Sequence, residues 1–170
     1  MLYQTLANLY EELSSTTKRL KKIDILSEFL KSLKKSEAYI LYLLEGNIYP
    51  DYDDRKIGIS NQLAIKALAK ATGTPIKKID DEWKKIGDLG EVAQKLTKSK
   101  TQTTLHSKTL TTQKVLENLR KLPELEGHGT VNRKLSLVTE LLTSANSIEA
   151  KYLMRTLLSD LRIGVQESTI

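Results

Sequence analysis

The sequence contains no cysteine and has little of several other residue types that carry chemistry. Its 170 residues include two histidines, one tryptophan, one phenylalanine and three prolines. The absence of cysteine excludes disulfide bonds and thiolate metal sites. His106 and His128 lie far apart in polar segments, so a histidine metal site or a His-based catalytic triad has no support. No apolar run approaches the length of a membrane span, and no signal-peptide core follows Met1. We therefore expect a cytoplasmic protein with no metal site and no contact with membranes.

Apolar residues recur at helical spacing along most of the chain. Leu2, Leu6, Leu9 and Leu13 form the first such stripe, and similar stripes follow at intervals to residue 161. No run of alternating β-branched residues indicates a sheet. With 39% hydrophobic and 28% charged residues, the composition is that of an ordinary globular domain. We predict one all-α domain of about nine to twelve helices that covers residues 1–170.

Short polar residues and glycines mark where these helices begin and end. Ser60 and Asp88 are predicted to cap helix N-termini, and Gly73 and Gly87 are predicted to end the helices that precede them. The cluster from 14 to 17 is expected to cap a second helix. The buried stripe of that helix would comprise Leu20, Ile23, Leu26, Leu30 and Leu33.

The last two helices are predicted over 130–144 and 148–161. In the final helix, Tyr152 and three leucines recur at helical spacing, which places Lys151 and Arg155 on other faces. Earlier in the chain, the stretch from 97 to 111 is rich in Thr, Ser, Lys and Gln, and we interpret it as a mobile loop.

The net charge is +6, and each half of the chain carries +3, so the excess does not come from one basic tail. The cations are concentrated in three windows without acidic residues: 13–23, 92–116 and 127–139. A single window of this kind is usually a solvated surface. Three windows in one domain favour a polyanionic partner such as nucleic acid.

A weak internal repeat relates residues 22–41 to residues 134–153 without gaps. Seven of the twenty pairs are identical, among them Lys22/Lys134, Glu37/Glu149 and Leu41/Leu153. Two similar amphipathic hairpins could have arisen independently. The other interpretation is a duplicated helical hairpin whose copies are related by a pseudo-two-fold axis. Such a pair would suit duplex DNA, because its backbone has two-fold symmetry of its own.

Each copy of the repeat is entered through a polar, basic segment. Because free N–H groups and the helix dipole point outward at a helix N-terminus, such a segment can bind phosphate. The predicted phosphate-binding residues are Thr16, Thr17, Lys18, Arg19 and Lys22 in the first segment and Gly129, Thr130, Asn132, Arg133 and Lys134 in the second. Plain N-capping by the threonines is compatible with this role.

Two further motifs resemble those of a known family. Gly87-Asp88-Leu89-Gly90 is followed by Glu91-Val92-Ala93, and Arg162-Ile163-Gly164 follows the last predicted helix. With the blocks 18–30 and 129–142, they resemble in order and spacing the N-terminal DNA-binding domain of archaeal and eukaryotic replicative ATP-dependent DNA ligases. The resemblance spans nearly the whole chain. It implies that Arg162 and Gly164 face DNA and that the domain grips a nicked duplex through the minor groove.

The resemblance also implies roles in DNA replication, repair and recombination, association with the nucleoid, and ATP and Mg²⁺ for a parent ligase. The catalytic lysine of the family stands in Lys-x-Asp-Gly, a motif that this sequence lacks. We therefore expect no catalytic residue, no cofactor and no ligase or adenylation activity in this chain. The nucleotidyltransferase and OB domains of the family would be absent from it, and we expect a monomer.

The sequence departs from the family pattern at two places. Ser159-Asp160 stands where several members have Gly-Arg, so one phosphate-directed cation is missing there. Some archaeal members place a sliding-clamp box near residue 102. Gln102 and Leu105 could be its remnant and would make a sliding clamp a weak candidate partner, but the aromatic pair of the box is missing.

Two other functions remain open from the sequence. One is a helical protein-interaction module whose basic windows are merely surface. The other is a helix-turn-helix regulator, which would need a recognition helix with base-reading side chains, and Asn132-Arg133 is the one pair that suggests such a cluster.

Overall fold

A computed structural model describes residues 1–99 and 109–165 of the chain. Within these ranges the chain forms nine α-helices and one 3₁₀-helix. In order they are α1 Tyr3–Ser14, α2 Arg19–Ser32, the 3₁₀-helix Lys35–Glu37, α3 Ile40–Leu44, α4 Asn61–Thr72, α5 Ile76–Ile86, α6 Leu89–Lys98, α7 Thr112–Glu124, α8 Thr130–Ser144 and α9 Ser147–Leu157. Apart from an isolated bridge between Leu2 and Thr111, the described ranges contain no β-structure. The predicted all-α fold is confirmed.

Helix α9 lies at the centre of the core. Every residue from Glu149 to Leu157 is buried, and the helix packs along α6 while also touching α1 and α8. Helices α4 and α7 both pack on α8, so α8 connects them to α9. None of the helices in the described ranges is long and apolar enough to cross a bilayer.

Several predicted helix ends are confirmed. The Ser60 hydroxyl accepts a hydrogen bond from the Leu63 N–H at 3.2 Å, and Asp88 caps α6. Gly73 and Gly87 end α4 and α5 in the left-handed conformation, which glycine adopts without steric cost.

Two predicted boundaries were wrong. The N-cap of α2 is Lys18, whose N–H donates to the Thr16 hydroxyl at 3.2 Å, so no side chain of the 14–17 cluster caps the helix in the expected manner. Helix α9 ends at Leu157 and does not continue to 161. The cause is local: Ser159 has φ +54°, and the Asp160 N–H turns back to the Arg155 carbonyl at 2.9 Å.

The two halves of the predicted repeat share their helix ends. Helices α2 and α8 stop at Ser32 and Ser144, which are the paired positions of the repeat. In the turn that follows, the Glu37 carboxylate accepts from the Lys34 N–H at 3.2 Å, and Glu149 accepts from the Asn146 N–H at 2.8 Å. The second helices of the two hairpins differ. The first copy has a 3₁₀-turn and the short α3 at the positions where the second copy has α9. A pseudo-two-fold axis stays a prediction.

Candidate nucleic-acid interface

The first basic segment forms the exposed start of α2. Thr17, Lys18 and Arg19 are all exposed, and Thr16 is half-buried with its hydroxyl bonded to the Lys18 N–H. Because the first N–H groups of a helix have no partner within it, this end carries both side-chain cations and unpaired backbone donors.

Lys22 does not share this exposure. Its side chain is 7% exposed, and its Nζ donates to the carbonyls of Ile163 at 2.7 Å and Gly164 at 2.9 Å. The expectation that Lys22 presents a free cation to phosphate is therefore corrected, and Lys22 is not among the phosphate-binding residues proposed below. Its observed role is to tie the start of α2 to the segment that follows α9.

The Arg162-Ile163-Gly164 element is held on two sides. Ile163 is buried, and Gly164 has φ +62°, with the Lys22 Nζ in the space that an added Cβ would take. Glycine adopts this left-handed backbone without steric cost, and any larger residue there would also have to displace the Lys22 ammonium. The element is thus a fixed part of the surface beside α2.

Arg162 itself is 45% exposed and adopts φ +54°. Its Nε donates to Asp160 at 2.7 Å, and its guanidinium also reaches the Gly87 carbonyl at 3.3 Å and Asp88 at 3.6 Å. The hydrogen bond to Asp160 raises the pKa of Arg162 above its ordinary value. Asp160, which the sequence placed in doubt as a DNA contact, is a partner of Arg162.

The Gly87-Asp88-Leu89-Gly90 turn joins this element to the core. One Asp88 oxygen accepts from the Gly90 N–H at 2.8 Å, and the other accepts from the Arg155 guanidinium at 2.6 Å. Burial opposes ionisation of Asp88, but the hydrogen bond and charge of Arg155 outweigh it and lower its pKa. The motif is therefore both the cap of α6 and an anchor for α9.

Lys151 and Arg155 are buried, contrary to the expectation that they lie on faces away from the core. Lys151 lies 3.0 Å from both Glu11 and Glu91, and the Tyr152 hydroxyl donates to Glu11 at 2.7 Å. Because α9 is enclosed, its charged side chains need partners, and α1 and α6 supply them. This ion network is a structural element of the core.

The second basic segment forms the start of α8. Gly129 is its N-cap at φ +83°, and the Thr130 hydroxyl donates to the Gly127 carbonyl at 2.8 Å. Asn132 and Arg133 are exposed, while Lys134 is half-buried. Arg133 borders a cleft of about 590 Å³ between this end of α8 and the C-terminal end of α7.

The structure thus joins the first segment to Arg162 and Gly164 through Lys22, whereas the second segment lies against α7. The suggested clamp residues Gln102 and Leu105 lie outside the described residues. In the part of the 92–116 window that is described, Lys95 pairs with Glu82 and Lys114 with Glu140. The described residues include no group of three or more side chains placed to hold a metal ion.

Two exposed aliphatic side chains in the basic segments were missed by the sequence patterns. Leu20, which the helical stripe assigned to the core, is 77% exposed, and Val131 is 58% exposed. Each is the second residue of its helix, α2 or α8. The only signal in the sequence was their position among cations, as in Lys18-Arg19-Leu20-Lys21.

The comparison with known proteins agrees with these motifs. The family model for the DNA ligase N terminus matches residues 2–170. A DNA ligase of Methanosphaera stadtmanae is 43% identical over 172 residues, which cover 99% of this chain and 31% of that ligase. A DNA ligase of Methanobrevibacter smithii is 40% identical over 171 residues, which cover 100% of this chain and 31% of that ligase. A DNA ligase of Nitrosopumilus maritimus is 37% identical over 171 residues, which cover 100% of this chain and 29% of that ligase.

The chain therefore spans under a third of the length of these relatives, and the match includes both the Gly87–Gly90 turn and the Arg162–Gly164 element. It belongs to the DNA ligase N-terminus family.

Proposed function

We propose that the chain binds nicked duplex DNA without sequence preference, through the minor groove, as the N-terminal domain of an ATP-dependent DNA ligase. The observation that carries this proposal is the link made by Lys22. This link ties the start of α2, which carries the exposed cations Lys18 and Arg19, to the segment that carries Arg162. The family membership supports the same reading, because the relatives are DNA ligases.

Phosphate recognition accounts for the residue types on this surface. Arginine and lysine neutralise phosphate charge, and threonine hydroxyls and free N–H groups donate hydrogen bonds to phosphate oxygens. Such contacts position a protein on a duplex without reading its sequence. The second segment, with Thr130, Asn132 and Arg133, supplies the same chemistry at the start of α8.

The joining reaction would then belong to other parts of a parent ligase. With no Lys-x-Asp-Gly motif in this chain, we assign ATP and Mg²⁺ to the parent protein and the grip on DNA to this region. A contact of Gln102 and Leu105 with a sliding clamp stays a prediction.

DNA binding should depend strongly on salt. If about four to eight phosphates are contacted, log affinity plotted against log salt should fall with a slope of roughly −4 to −7. Titration of a fluorescent nicked duplex at several salt concentrations measures this slope, and competition with unrelated duplexes measures sequence preference. A flat response would favour a protein-interaction module, and one strongly preferred site would favour a helix-turn-helix regulator.

Arg162→Ala should weaken duplex binding by roughly 1 to 3 kcal/mol, because a charge-assisted contact to phosphate is lost. Its ion pairs are partly exposed, so the free energy of unfolding should change by less than about 1 kcal/mol. Binding isotherms and thermal melts of the same variant measure both quantities.

Arg133→Ala is the matched change in the second segment, and a similar loss is expected if both segments contact DNA. Asp160→Asn should have the opposite effect, because it frees Arg162 from a competing carboxylate. Folded Arg162→Ala and Arg133→Ala proteins that bind DNA like the wild type would show that the proposed surface is wrong.

A further inference from the structure

Leu20 is the most exposed aliphatic side chain of the first basic segment. It is 77% exposed, and Ile23, one helical turn later on α2, is 38% exposed. Residues three apart lie on the same face of a helix, so the two form one apolar strip. A core position was expected for both from their helical spacing, but α2 buries only Lys22 and Leu26 fully.

Cations flank this apolar strip. Lys18, Arg19 and Lys21 are all exposed around Leu20, at the N-terminal end of the strip, whereas the exposed Asp24 adjoins its other end beside Ile23. An apolar strip flanked by cations complements a ligand whose own apolar surface is bordered by negative charge. The minor groove of duplex DNA has this arrangement: deoxyribose rings and base edges line it, and phosphates form its rims.

We propose that Leu20, with Ile23 beside it, contacts the deoxyribose and base edges of duplex DNA in the minor groove, while Lys18, Arg19 and Lys21 contact the flanking phosphates. The inference rests on the proposed DNA-binding function and names the side chains that make its uncharged contact. Proteins that bind the minor groove often place leucine, isoleucine or similar side chains against it. This apolar contact does not require the helix dipole or the free N–H groups at the start of α2.

The start of α8 also exposes an aliphatic side chain, although the register of the internal repeat pairs Leu20 with Asn132 and not with Val131. Val131 is 58% exposed at the second position of its helix, as Leu20 is in α2, with exposed Arg133 two residues later. Val131 is therefore assigned the same role at the second contact with the duplex.

Salt dependence separates this contact from a contact with phosphate. Leu20→Gln removes apolar surface without changing charge, so affinity should fall about tenfold at every salt concentration while the slope against log salt stays that of the wild type. Arg19→Gln should instead make the slope shallower by about 0.9. Leu20→Met should bind nearly as the wild type does, because it retains the apolar side chain.

Leu41→Gln is the control, since Leu41 is also partly exposed, at 37%, but lies in α3 and has no cation within four residues on its C-terminal side. Its affinity for DNA should be unchanged. Melting temperatures of all variants, measured without DNA, show whether each is folded, and an exposed leucine should contribute little to that temperature.

The outcomes are distinct. If the wild type binds duplex DNA and Leu20→Gln binds equally well, the inference is overturned while the proposed function stands. A Leu20→Gln slope shallower by as much as that of Arg19→Gln would also overturn it, since the loss would then come from phosphate contacts. If the wild type does not bind duplex DNA, the proposed function fails, and this inference fails with it.

Discussion

Asp88→Ala is expected to lower the free energy of unfolding by about 3 to 5 kcal/mol. Asp88 and Arg155 form a buried pair at 2.6 Å, so removal of the carboxylate leaves a guanidinium in the core with its main partner missing. The second Asp88 oxygen caps α6 through the Gly90 N–H, and loss of a cap costs about 1 kcal/mol more. Glu91, at 3.5 Å from Arg155, offsets part of the loss. Chemical denaturation of both proteins measures the difference.

The pH dependence of this difference follows from the lowered pKa of Asp88. Because the folded-state pKa lies below the unfolded value of about 3.9, the stabilisation is complete above that value. It is lost as pH falls through the folded-state pKa. The difference in the free energy of unfolding between the wild type and Asp88→Ala should therefore be constant from neutral pH to about pH 5. It should become smaller in stronger acid.

Glu82→Ala provides the surface control for this prediction. Glu82 pairs with the exposed Lys95 at 2.6 Å, and because solvent screens a surface pair of this kind, its loss should have little effect on stability. Equal losses from Asp88→Ala and Glu82→Ala would contradict the structural role assigned to the Asp88–Arg155 pair.

Gly90→Ala is expected to destabilise the fold by about 1 to 3 kcal/mol, although glycine-to-alanine changes inside a helix usually stabilise. A Cβ at Gly90 would lie 2.8 Å from both Arg155 Cγ and the Lys151 carbonyl oxygen. The carbonyl belongs to the backbone of the buried α9, so the clash cannot be relieved by rotation of a side chain alone. Helices α6 and α9 must separate, and the Asp88–Arg155 pair must lengthen with them. Thermal and denaturant unfolding measure the loss.

Gly73→Ala is the control for Gly90→Ala. Gly73 has φ +66° and no atom within 4 Å of an added Cβ, so its cost comes from the left-handed backbone alone and should be about 1 to 2 kcal/mol. The two variants can be told apart by DNA binding, because Gly90 lies in the turn that Arg162 contacts. Gly90→Ala should weaken binding to duplex DNA when measured well below its melting temperature. A stable Gly90→Ala protein would show that α6 and α9 are not packed so closely.

Much of the fold could be predicted from local patterns in the chain. Helical spacing of leucines, Ser60 and Asp88 as caps, and Gly73 and Gly87 as stops are short-range signals, because each acts within about one turn of helix. The paired ends of α2 and α8 likewise follow from similar local sequences. The phosphate-binding roles of the segments 16–22 and 129–134 stay predictions, except at Lys22, which is buried.

Burial required the tertiary structure, because a helix has several faces and its neighbours decide which of them are covered. Lys22 and Leu20 illustrate this: the lysine is buried on carbonyls 141 and 142 residues away, while the leucine two residues earlier is exposed. Lys151 and Arg155 are buried because α1 and α6 bring Glu11, Glu91 and Asp88 to them. The sequence alone thus determined the all-α fold, most helix positions and the family, whereas long-range packing decided which charges stabilise the core and which side chains stay exposed.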